Sequence, residues 1–484
     1  MTDFKRSLGL LDATLLAAGS MIGSGIFIVS ADITRNVGSA GGVLLVWLLA
    51  GVMMISAALS YGELSAMYPR AGGLYVYLRE AFGSLVAFLY GWALFAVIQT
   101  GTIAAVGVAF GKFAAYIFPV LGDSNILFGI EKGFNVEKQA MEYLFSISAA
   151  QLNSITIIVL LTFFNTRGIQ NGRWIQLVFT FAKAAGLAML IVFGFIAVKN
   201  ADIWNLNWQN AFDFQKMEML NGVLVKTPIT SYWGILSAVA MASVGSVFSS
   251  IGWDNITFVA GEIKNPKRNI GLSLFLGVVI VISIYILANL VYLSLLPLES
   301  IAFAKSDRVG VVAANAIFGD LGTKIIAVLV MISTFGCING WVLSSARVFY
   351  TMAQDKLFFQ QATELNRFGV PEKALWYQCI WTCVLCLSGR YGDLLDYATF
   401  TILLFYALAI LAIFQLRRKY PDAERPYKAF GYPVVPFLYL LITVGICVPL
   451  LVYKPLYTWP GLFIVLLGIP IYYWLMKGET EKES

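Results

Sequence analysis

The chain has 484 residues, of which 59% are hydrophobic and 14% aromatic, while only 12% are charged. This apolar excess is greater than a soluble globular domain uses, so the composition indicates an integral membrane protein. The formal net charge is +6, but the basic residues collect in particular connections between apolar segments, so we attribute the charge to membrane topology and predict no nucleic-acid partner.

Apolar blocks of about 20 residues recur along the chain, and each is long enough to cross a hydrocarbon core of about 30 Å as a helix. We therefore predict an all-α polytopic membrane protein with a single domain, residues 1–484, in contact with the lipid bilayer. Its twelve transmembrane helices, called helices 1 to 12 below, are predicted at 8–36, 42–66, 84–118, 148–165, 172–198, 230–261, 268–297, 320–353, 374–389, 393–416, 433–453 and 456–476. The long connections 119–147 and 199–229 are predicted to be short loops or surface helices.

Lysine and arginine are divided unevenly between the two sides of the predicted membrane domain. The N terminus and the segments on its side hold 20 of the 33 basic residues, the opposite side holds 12, and Lys183 lies in the middle of a helix. Because basic residues accumulate in cytoplasmic connections, we predict that both termini are cytoplasmic. The expected location is the plasma (inner) membrane.

Helix 1 contains the stretch GSMIGSGIFIVS, Gly19 to Ser30, which places three glycines near its centre. Irregular backbone at membrane depth persists only where protein buries it or where it lines a cavity. Free N–H groups at Gly23, Ser24 and Gly25 suit a carboxylate, and free carbonyls at the end of the preceding half-helix suit an ammonium group. The pattern predicts a site for a zwitterionic α-amino acid; close packing between helices is the alternative reading.

Helix 5 carries Lys183 within FTFAKAAGL, flanked by apolar residues. A lysine at the bilayer centre costs at least about 2.5–3.5 kcal/mol, so such a residue is usually functional or paired. We predict that its ammonium group lies among backbone carbonyls of a broken neighbouring helix and hydroxyls of another helix. It would then replace a bound sodium ion or release its proton. A structural lysine beside a water-filled crevice is the alternative.

A second glycine and serine interruption, SVGSVFSSIGWDN, lies in helix 6 between Ser243 and Asn255. Paired interruptions in two halves of a chain indicate the central binding site of a transporter. We therefore predict two repeats, residues 8–198 and 230–416, each beginning with a broken helix. Because each repeat contains an odd number of helices, the second is inverted; residues 433–476 form the two remaining helices.

Several side chains near these interruptions have two possible roles. Phe248 could cover the site as a lid or simply fill the core. Asp254 could sense the substrate side chain, hydrate a cavity or pair with a lysine. Glu262, at the end of helix 6, could belong to an ion-pair cluster or to an inner gate. Polar residues inside other helices, such as Asn289, Ser333 and Thr334, commonly hold helices together.

The residue types exclude most metal and enzyme chemistry. The chain contains no histidine, its five cysteines all lie in predicted helices, and no carboxylate pair stands out within the helices. We therefore predict no metal site, no cofactor and no enzymatic activity.

Four motifs together resemble the L-type amino acid transporter family of the amino acid, polyamine and organocation superfamily. They are GSMIGSGIF in helix 1, FTFAKAAGL in helix 5, FSSIGWDNITFVAGEIKNPKRN in helix 6 and RRKYPDAERPYKAFGYPVVP after helix 10. The resemblance implies a five-plus-five inverted repeat with discontinuous helices 1 and 6, helices 11 and 12 appended, and sodium-independent exchange of amino acids by alternating access.

The resemblance also implies roles for individual residues. The substrate carboxylate would meet the N–H groups of Ser24 and Gly25, and its amine would meet the carbonyls of Met21, Phe248 and Ile251. The substrate-binding set is then Met21, Ile22, Gly23, Ser24, Gly25, Phe248, Ser249, Ile251 and Asp254. The gating and coupling set is Lys183, Phe248, Tyr285, Asn289, Ser333 and Thr334. In the family, the lysine of helix 5 ties helix 1 to helix 8, where Ser333 or Thr334 would receive it.

Two departures from the family pattern matter. Residues 119–147 contain no cysteine, so no disulfide-linked heavy chain is expected, as in bacterial members. Many members have asparagine where this chain has Asp254, which leaves the preferred substrate charge open. The expected function is antiport of neutral, small L-amino acids; a proton-coupled symporter using Lys183 and a receptor that binds without transporting remain alternatives.

Overall fold

The computed structural model describes residues 6–135, 140–198, 201–220, 222–387 and 391–483. Within these ranges, ten helices are long and apolar enough to cross a membrane, which confirms a polytopic helical architecture. Their bounds are Ala40–Met67 (helix 2), Ser84–Ala114 (helix 3), Ala149–Thr166 (helix 4), Ile169–Ala197 (helix 5), Tyr232–Ser250 (first part of helix 6), Pro266–Leu295 (helix 7), Asp320–Gln354 (helix 8), Tyr391–Lys419 (helix 10), Val434–Tyr453 (helix 11) and Pro455–Glu483 (helix 12).

The two other predicted spans differ from these ten. Helix 1 is divided into Leu10–Met21, a 3-10 turn at Gly25–Phe27, and Val29–Val37. Helix 9, Glu372–Leu387, has 16 described residues. The total of twelve spans and the repeat boundaries therefore remain predictions. Shorter helices cover Leu74–Phe82, Asp202–Trp208, Leu298–Ala302 and Val309–Phe318.

The two long connections contain β-hairpins, which the sequence analysis did not predict. Strands β1, Ile126–Asn135, and β2, Ala140–Ser148, pair antiparallel, as do β3, Gln215–Leu220, and β4, Val223–Pro228. Leu220 pairs with Val223 across a two-residue Asn-Gly connection, a sequence that favours tight hairpin turns because glycine adopts positive φ without steric cost. The prediction of loops or surface helices alone is therefore wrong for both connections, although Asp202–Trp208 is a short helix.

Serine side chains define where several helices begin. Ser39 and Ser231 accept hydrogen bonds from the backbone N–H groups three residues on, at 3.3 Å and 3.0 Å. Ser148 and Gln151 cap the start of helix 4 reciprocally. These contacts satisfy N–H groups that a helix leaves without intrahelical partners, and they are especially valuable where lipid cannot replace them.

The packing of the long helices places the two interrupted segments at the centre of the protein. Helix 2 packs along helix 7, helices 3 and 5 pack against helix 8, and the first part of helix 1 contacts helices 5, 7 and 8. Residues 16–27 and 242–260 are buried throughout. Exposed apolar side chains, such as Phe181, Met189 and Val192 of helix 5, form the outer surface of the helical body.

The start of helix 1, the end of helix 6 and helix 8 are joined at one end of the protein. The Glu262 carbonyl accepts hydrogen bonds from the N–H groups of Ser7 and Leu8 at 2.9 Å and 3.0 Å. The Glu262 carboxylate accepts a hydrogen bond from Arg347 Nε at 2.8 Å, and the two side chains are only 4% and 1% exposed. Lys264 N–H returns a bond to the Leu8 carbonyl at 2.8 Å. These contacts tie helices 1, 6 and 8 together on the side that we predict to be cytoplasmic.

Replacing Arg347 with leucine is expected to lower the melting temperature of the purified protein clearly. Removing one partner of a buried ion pair costs about 3–5 kcal/mol because the other charge stays buried and unpaired. Lys373→Leu is the matched control, since its ion pair with Glu364 is exposed and such pairs contribute about 0–1 kcal/mol. Equal melting temperatures for the two variants in the same detergent would show that the Glu262–Arg347 contact does not stabilise this end.

Candidate functional site

The interruption of helix 1 leaves backbone donors without partners. The first half of the helix ends at Met21, and Ile22 takes an extended conformation with φ −73° and ψ 94°. Among the described residues, no acceptor contacts the N–H groups of Gly23, Ser24 and Gly25. All three residues are buried. Buried N–H groups are almost always hydrogen-bonded in proteins, so three adjacent free donors indicate a binding position for an acceptor.

The interruption of helix 6 lies beside the first one. The helix ends at Ser250, continues through extended Ile251 and through Gly252 with φ 99°, and resumes at Asn255–Phe258. Positive φ of this kind suits glycine because it has no Cβ. Both helices are therefore interrupted at the glycine and serine stretches that the sequence analysis identified.

The two interrupted segments touch at Gly25 and Ser249. A Cβ added to Gly25 would lie 2.2 Å from Ser249 Oγ and 2.7 Å from Ser249 Cβ. Glycine at position 25 thus permits a close approach of the two segments, which a side chain there would disturb while Ser249 is present. The two interrupted segments therefore lie side by side at this contact.

Lys183 binds the end of the first half of helix 1. Its ammonium group donates hydrogen bonds to the carbonyls of Gly19 and of Ile22, the latter at 2.7 Å, and its side chain is fully buried. Gln176 and Thr180, on the same face of helix 5, lie 3.5 Å and 3.4 Å from the Leu15 carbonyl. Helix 5 therefore supplies polar partners along one side of this half-helix, and the predicted contact of the lysine with carbonyls of a broken neighbour is present.

Helix 8 contacts the same half-helix from another side. Ser333 Oγ donates to the carbonyls of Ile22 and Gly23 at 3.0 Å and 3.1 Å, and Cys337 Sγ donates to the Ser20 carbonyl at 3.0 Å. Lys183 and Ser333 thus both donate hydrogen bonds to the Ile22 carbonyl. The described contacts include no hydrogen bond between their two side chains.

Thr334 does not reach the interruption. Its hydroxyl donates to the carbonyls of Val330 and Met331 in its own helix, at 2.8 Å and 3.1 Å. The structure therefore does not support Thr334 as the receiver of Lys183. Thr334 follows Ser333 by about 100° around the helix, so the two side chains point in different directions.

Helix 7 links both interruptions through one hydroxyl group. Tyr285 Oη lies 3.1 Å from the Met21 carbonyl and 3.0 Å from the Ser249 carbonyl. Asn289 donates to the Tyr285 carbonyl at 2.8 Å and accepts a hydrogen bond from Ser30, in the second half of helix 1, at 2.7 Å. Tyr285 and Asn289 therefore connect helix 7 to both halves of helix 1.

Two of the three carbonyls implied for the substrate amine already accept hydrogen bonds within the protein. Met21 accepts the bond from Tyr285, and the Phe248 carbonyl accepts the N–H of Ile251 at 3.2 Å. Each carbonyl has a second lone pair, so these bonds do not preclude an ammonium group. Phe248 itself is buried, and its action as a lid stays a prediction.

Under the amino acid transport that the sequence resemblance implies, the Tyr285→Phe variant is expected to take up amino acids about 2- to 10-fold more slowly, because a neutral hydrogen bond contributes about 0.5–1.5 kcal/mol. Tyr292→Phe is the matched control, as its hydroxyl lies 3.4 Å from a single carbonyl, that of Ile26. The measurement is initial uptake into proteoliposomes. A larger effect of the Tyr292 change than of the Tyr285 change would contradict a link between the interruptions through Tyr285.

Asp254 pairs with a tyrosine and with no lysine in the described contacts. Tyr406 of helix 10 donates to its Oδ1 at 2.6 Å, whereas Oδ2 has no partner among the described residues. The aromatic ring of Tyr406 packs against those of Tyr61 and Trp253, and the ring centroids of Tyr61 and Trp253 lie 4.7 Å apart. A buried oxygen without a partner indicates a position for a further hydrogen-bond donor. A substrate side chain or a water molecule in a cavity would each supply such a donor.

Sequence reasoning missed five residues around the interruptions: Gln176, Thr180, Cys337, Trp341 and Tyr406. A signal existed for the first two, because Gln176, Thr180 and Lys183 follow the i, i+4, i+7 spacing of one helix face. Cys337, Trp341 and Tyr406 look like ordinary core residues in an apolar helix. Among the described residues, no group of three potential ligands is placed to hold a metal ion.

The sequence of the whole chain is similar to those of known membrane proteins. The chain matches the model of a family described as amino acid permease over residues 8–475. It is 28% identical to the serine/threonine exchanger SteT of Bacillus subtilis, with 99% of this chain and 98% of the relative covered. It is 28% identical to the human large neutral amino acids transporter small subunit 2 (98% and 82% covered) and 27% identical to the human cystine/glutamate transporter (97% and 85% covered).

Proposed function

Since this chain belongs to the amino acid permease family, and is thus a multi-pass membrane transporter of amino acids and not an enzyme, we propose that it is a sodium-independent exchanger of small, neutral L-amino acids. Neutral substrates are the class named for two of its relatives, a serine/threonine exchanger and a large neutral amino acids transporter. The remaining support comes from the interrupted helices.

The observation that carries the proposal is the set of free N–H groups at Gly23, Ser24 and Gly25 beside the interruption of helix 6. These donors lie at the N-terminal end of the second half of helix 1, where the helix dipole favours an anion such as a carboxylate. The carbonyl of Met21 ends the first half of helix 1, and that of Ile251 directly follows the first part of helix 6. Carbonyls at these positions favour a cation. An α-amino acid carries both charges on adjacent atoms and matches this arrangement.

The position of the Lys183 ammonium group supports transport that does not depend on sodium. Its ammonium group already places a positive charge on the carbonyls of Gly19 and Ile22, which are the kind of oxygen ligands that a sodium ion uses in broken-helix transporters. Because the charge is part of the protein, we propose that no inorganic cation has to bind before the substrate.

The contacts on the two sides of the site support alternating access. Tyr285 joins the interruptions on one side, while Glu262 and Arg347 join helices 6 and 8 on the other. Residues of both interruptions are buried in this conformation. We propose that the two sets of contacts open in turn, with bound substrate lowering the cost of passing through the closed state.

We further propose that the chain works in the inner membrane with both termini cytoplasmic and without a disulfide-linked heavy chain. All five cysteines lie within helices 8, 9 and 11 and none forms a disulfide. Thiols inside membrane helices are poorly placed for a covalent bond to an external subunit.

The test uses purified protein in proteoliposomes that are either empty or preloaded with L-serine. We expect labelled L-serine to enter preloaded vesicles at least 10-fold faster, equally in sodium and potassium buffers and without a response to an imposed pH gradient. Uptake into empty vesicles driven by the pH gradient would instead indicate proton symport through Lys183. Saturable binding without any flux would indicate a receptor.

A further inference from the structure

A cavity of about 430 Å³ lies at the end of the protein where helices 1, 6 and 8 are joined. Its wall is formed by the chain before helix 1, the connection after helix 2 with the short helix Leu74–Phe82, the end of helix 6 and the end of helix 8. Its volume is within the range of about 300–1,000 Å³ that is usual for small-molecule sites. None of its lining residues belongs to either helix interruption. The charged lining residues are Arg6, Arg70, Arg79, Glu80 and Asp355.

Both carboxylates of this cavity already accept hydrogen bonds. Asp355 Oδ1 accepts one from Arg79 at 2.5 Å, and Asp355 Oδ2 accepts one from the Tyr75 hydroxyl at 2.8 Å. Glu80 Oε1 accepts one from Arg70 at 3.0 Å. The negative charges of the cavity are therefore paired, and the cavity is poorly suited to a cation.

The guanidinium groups keep unused donors. A guanidinium group has five N–H donors, and Arg70 and Arg79 each use one amino nitrogen in these pairs, while the described ion pairs include none with Arg6. Three guanidinium groups and two carboxylates leave one uncompensated positive charge in the cavity. A ligand with negative charge and several acceptor oxygens matches this surplus, and a phosphate group also fits the planar fork of arginine.

A ligand in the cavity would connect segments of the chain that are far apart in sequence. Arg6 directly precedes Ser7, whose N–H group bonds to the Glu262 carbonyl, and Arg70 lies beside Ala71, whose carbonyl accepts a hydrogen bond from Thr351 of helix 8 at 3.1 Å. An anion bound by both arginines would add a link between the start of helix 1 and the connection after helix 2. Such a ligand stabilises the conformation to which it binds.

We propose that this cavity is an anion site that binds a phosphate group through Arg6, Arg70 and Arg79, and that the bound anion holds this end of the protein together. The phosphate group would belong to a soluble compound or to the head group of an anionic lipid, since both present the same acceptor oxygens. The site is separate from the amino acid site and goes beyond the proposed function.

The first test measures the melting temperature of the purified protein in detergent under three conditions. They are sodium chloride, pyrophosphate at equal ionic strength, and sodium chloride with phosphatidylglycerol added to the micelles. An anion site predicts a rise of about 2 °C or more with an excess of pyrophosphate or of phosphatidylglycerol. A rise with pyrophosphate alone indicates a soluble anion, whereas a rise with phosphatidylglycerol indicates a lipid head group.

Three variants assign the rise to the cavity. Arg6→Gln and Arg70→Gln are expected to lose most of it, because each removes one guanidinium group from the lining. Both should remain folded, since Arg6 has no ion pair among the described contacts and that of Arg70 is exposed, and exposed pairs contribute about 0–1 kcal/mol. Arg268→Gln is the matched control and is expected to keep the full rise. Arg268 is exposed, lies outside the cavity and has no ion pair in the described part of the chain.

The second test asks whether the anion slows transport, and this arm rests on the proposed function. Exchange of labelled L-serine is measured in phosphatidylcholine vesicles with pyrophosphate on both sides, and in vesicles that also contain phosphatidylglycerol. The condition that raises the melting temperature is expected to slow wild-type exchange, because the stabilised end opens less often. Arg6→Gln is expected to relieve the slowing, and Arg268→Gln is expected to retain it.

The melting temperatures decide the proposal whether or not the protein exchanges amino acids. The proposal is overturned if neither pyrophosphate nor phosphatidylglycerol raises the wild-type melting temperature. It is also overturned if Arg6→Gln and Arg70→Gln respond as fully as Arg268→Gln. Absence of exchange in every vesicle would instead refute the proposed function.

Discussion

Replacing Lys183 with methionine is expected to reduce amino acid exchange at least 100-fold while leaving a membrane-inserted protein. The substitution removes the hydrogen bonds to the carbonyls of Gly19 and Ile22, each of which involves a charged donor and contributes about 1.5–3 kcal/mol. A loss of about 3 kcal/mol or more corresponds to a factor of roughly 100. The measurement is initial exchange of labelled L-serine at matched protein content.

Two further variants separate charge from shape at this position. Lys324→Met makes the same chemical change at an exposed position of helix 8 and is expected to keep wild-type exchange. Lys183→Arg retains the charge but brings a planar, wider head group, so we expect only partial activity. Exchange by Lys183→Met within threefold of the wild type would show that the ammonium group does not organise helix 1.

Introducing a single methyl group at Gly25 is expected to lower exchange about 10- to 100-fold. The new Cβ would lie 2.2 Å from Ser249 Oγ, so the two interrupted segments would have to separate or distort, and overpacking of this kind costs about 1–3 kcal/mol. The effect on transport is expected to exceed the effect on melting temperature, because the clash falls on the segments that carry the free N–H groups.

A compensating change tests whether the contact itself is responsible. Combining Gly25→Ala with Ser249→Gly removes the two nearest atoms, Oγ and Cβ of Ser249, and is expected to restore most of the exchange. Gly445→Ala is the matched control, because an added Cβ there meets no atom within 4 Å. If Gly445→Ala reduced exchange as strongly as Gly25→Ala, the close approach of the interruptions would not explain the loss.

The positions of the interruptions could be predicted because glycine and serine in the middle of an apolar span are costly unless a cavity or close contact requires them. Lys183 could be placed for a similar reason, since a buried ammonium group needs several acceptors and an interrupted helix offers free carbonyls. In both cases a strong local penalty in the sequence pointed to a specific compensation, and the structure contains it.

Residues whose role depends on helix rotation could not be placed in this way. Ser333 and Thr334 are adjacent, and only the packing of helix 8 decides that Ser333 faces helix 1. Trp341 and Tyr406 look like apolar filler until their polar atoms are seen to meet Ser20 and Asp254. The hairpin β3–β4 is different, because the Asn-Gly pair in the sequence between its strands is a recognised signal for a tight turn.

The central claim is that the peptide groups of the two interrupted helices bind both charges of an amino acid. The most direct measurement compares L-alanine, N-acetyl-L-alanine and L-alaninamide as competitors of labelled L-serine exchange by the wild-type protein. Binding of a zwitterion predicts that L-alanine competes and that the acetylated and amidated forms, each lacking one charge, compete at least 100-fold more weakly. Equal competition by all three compounds would contradict the claim.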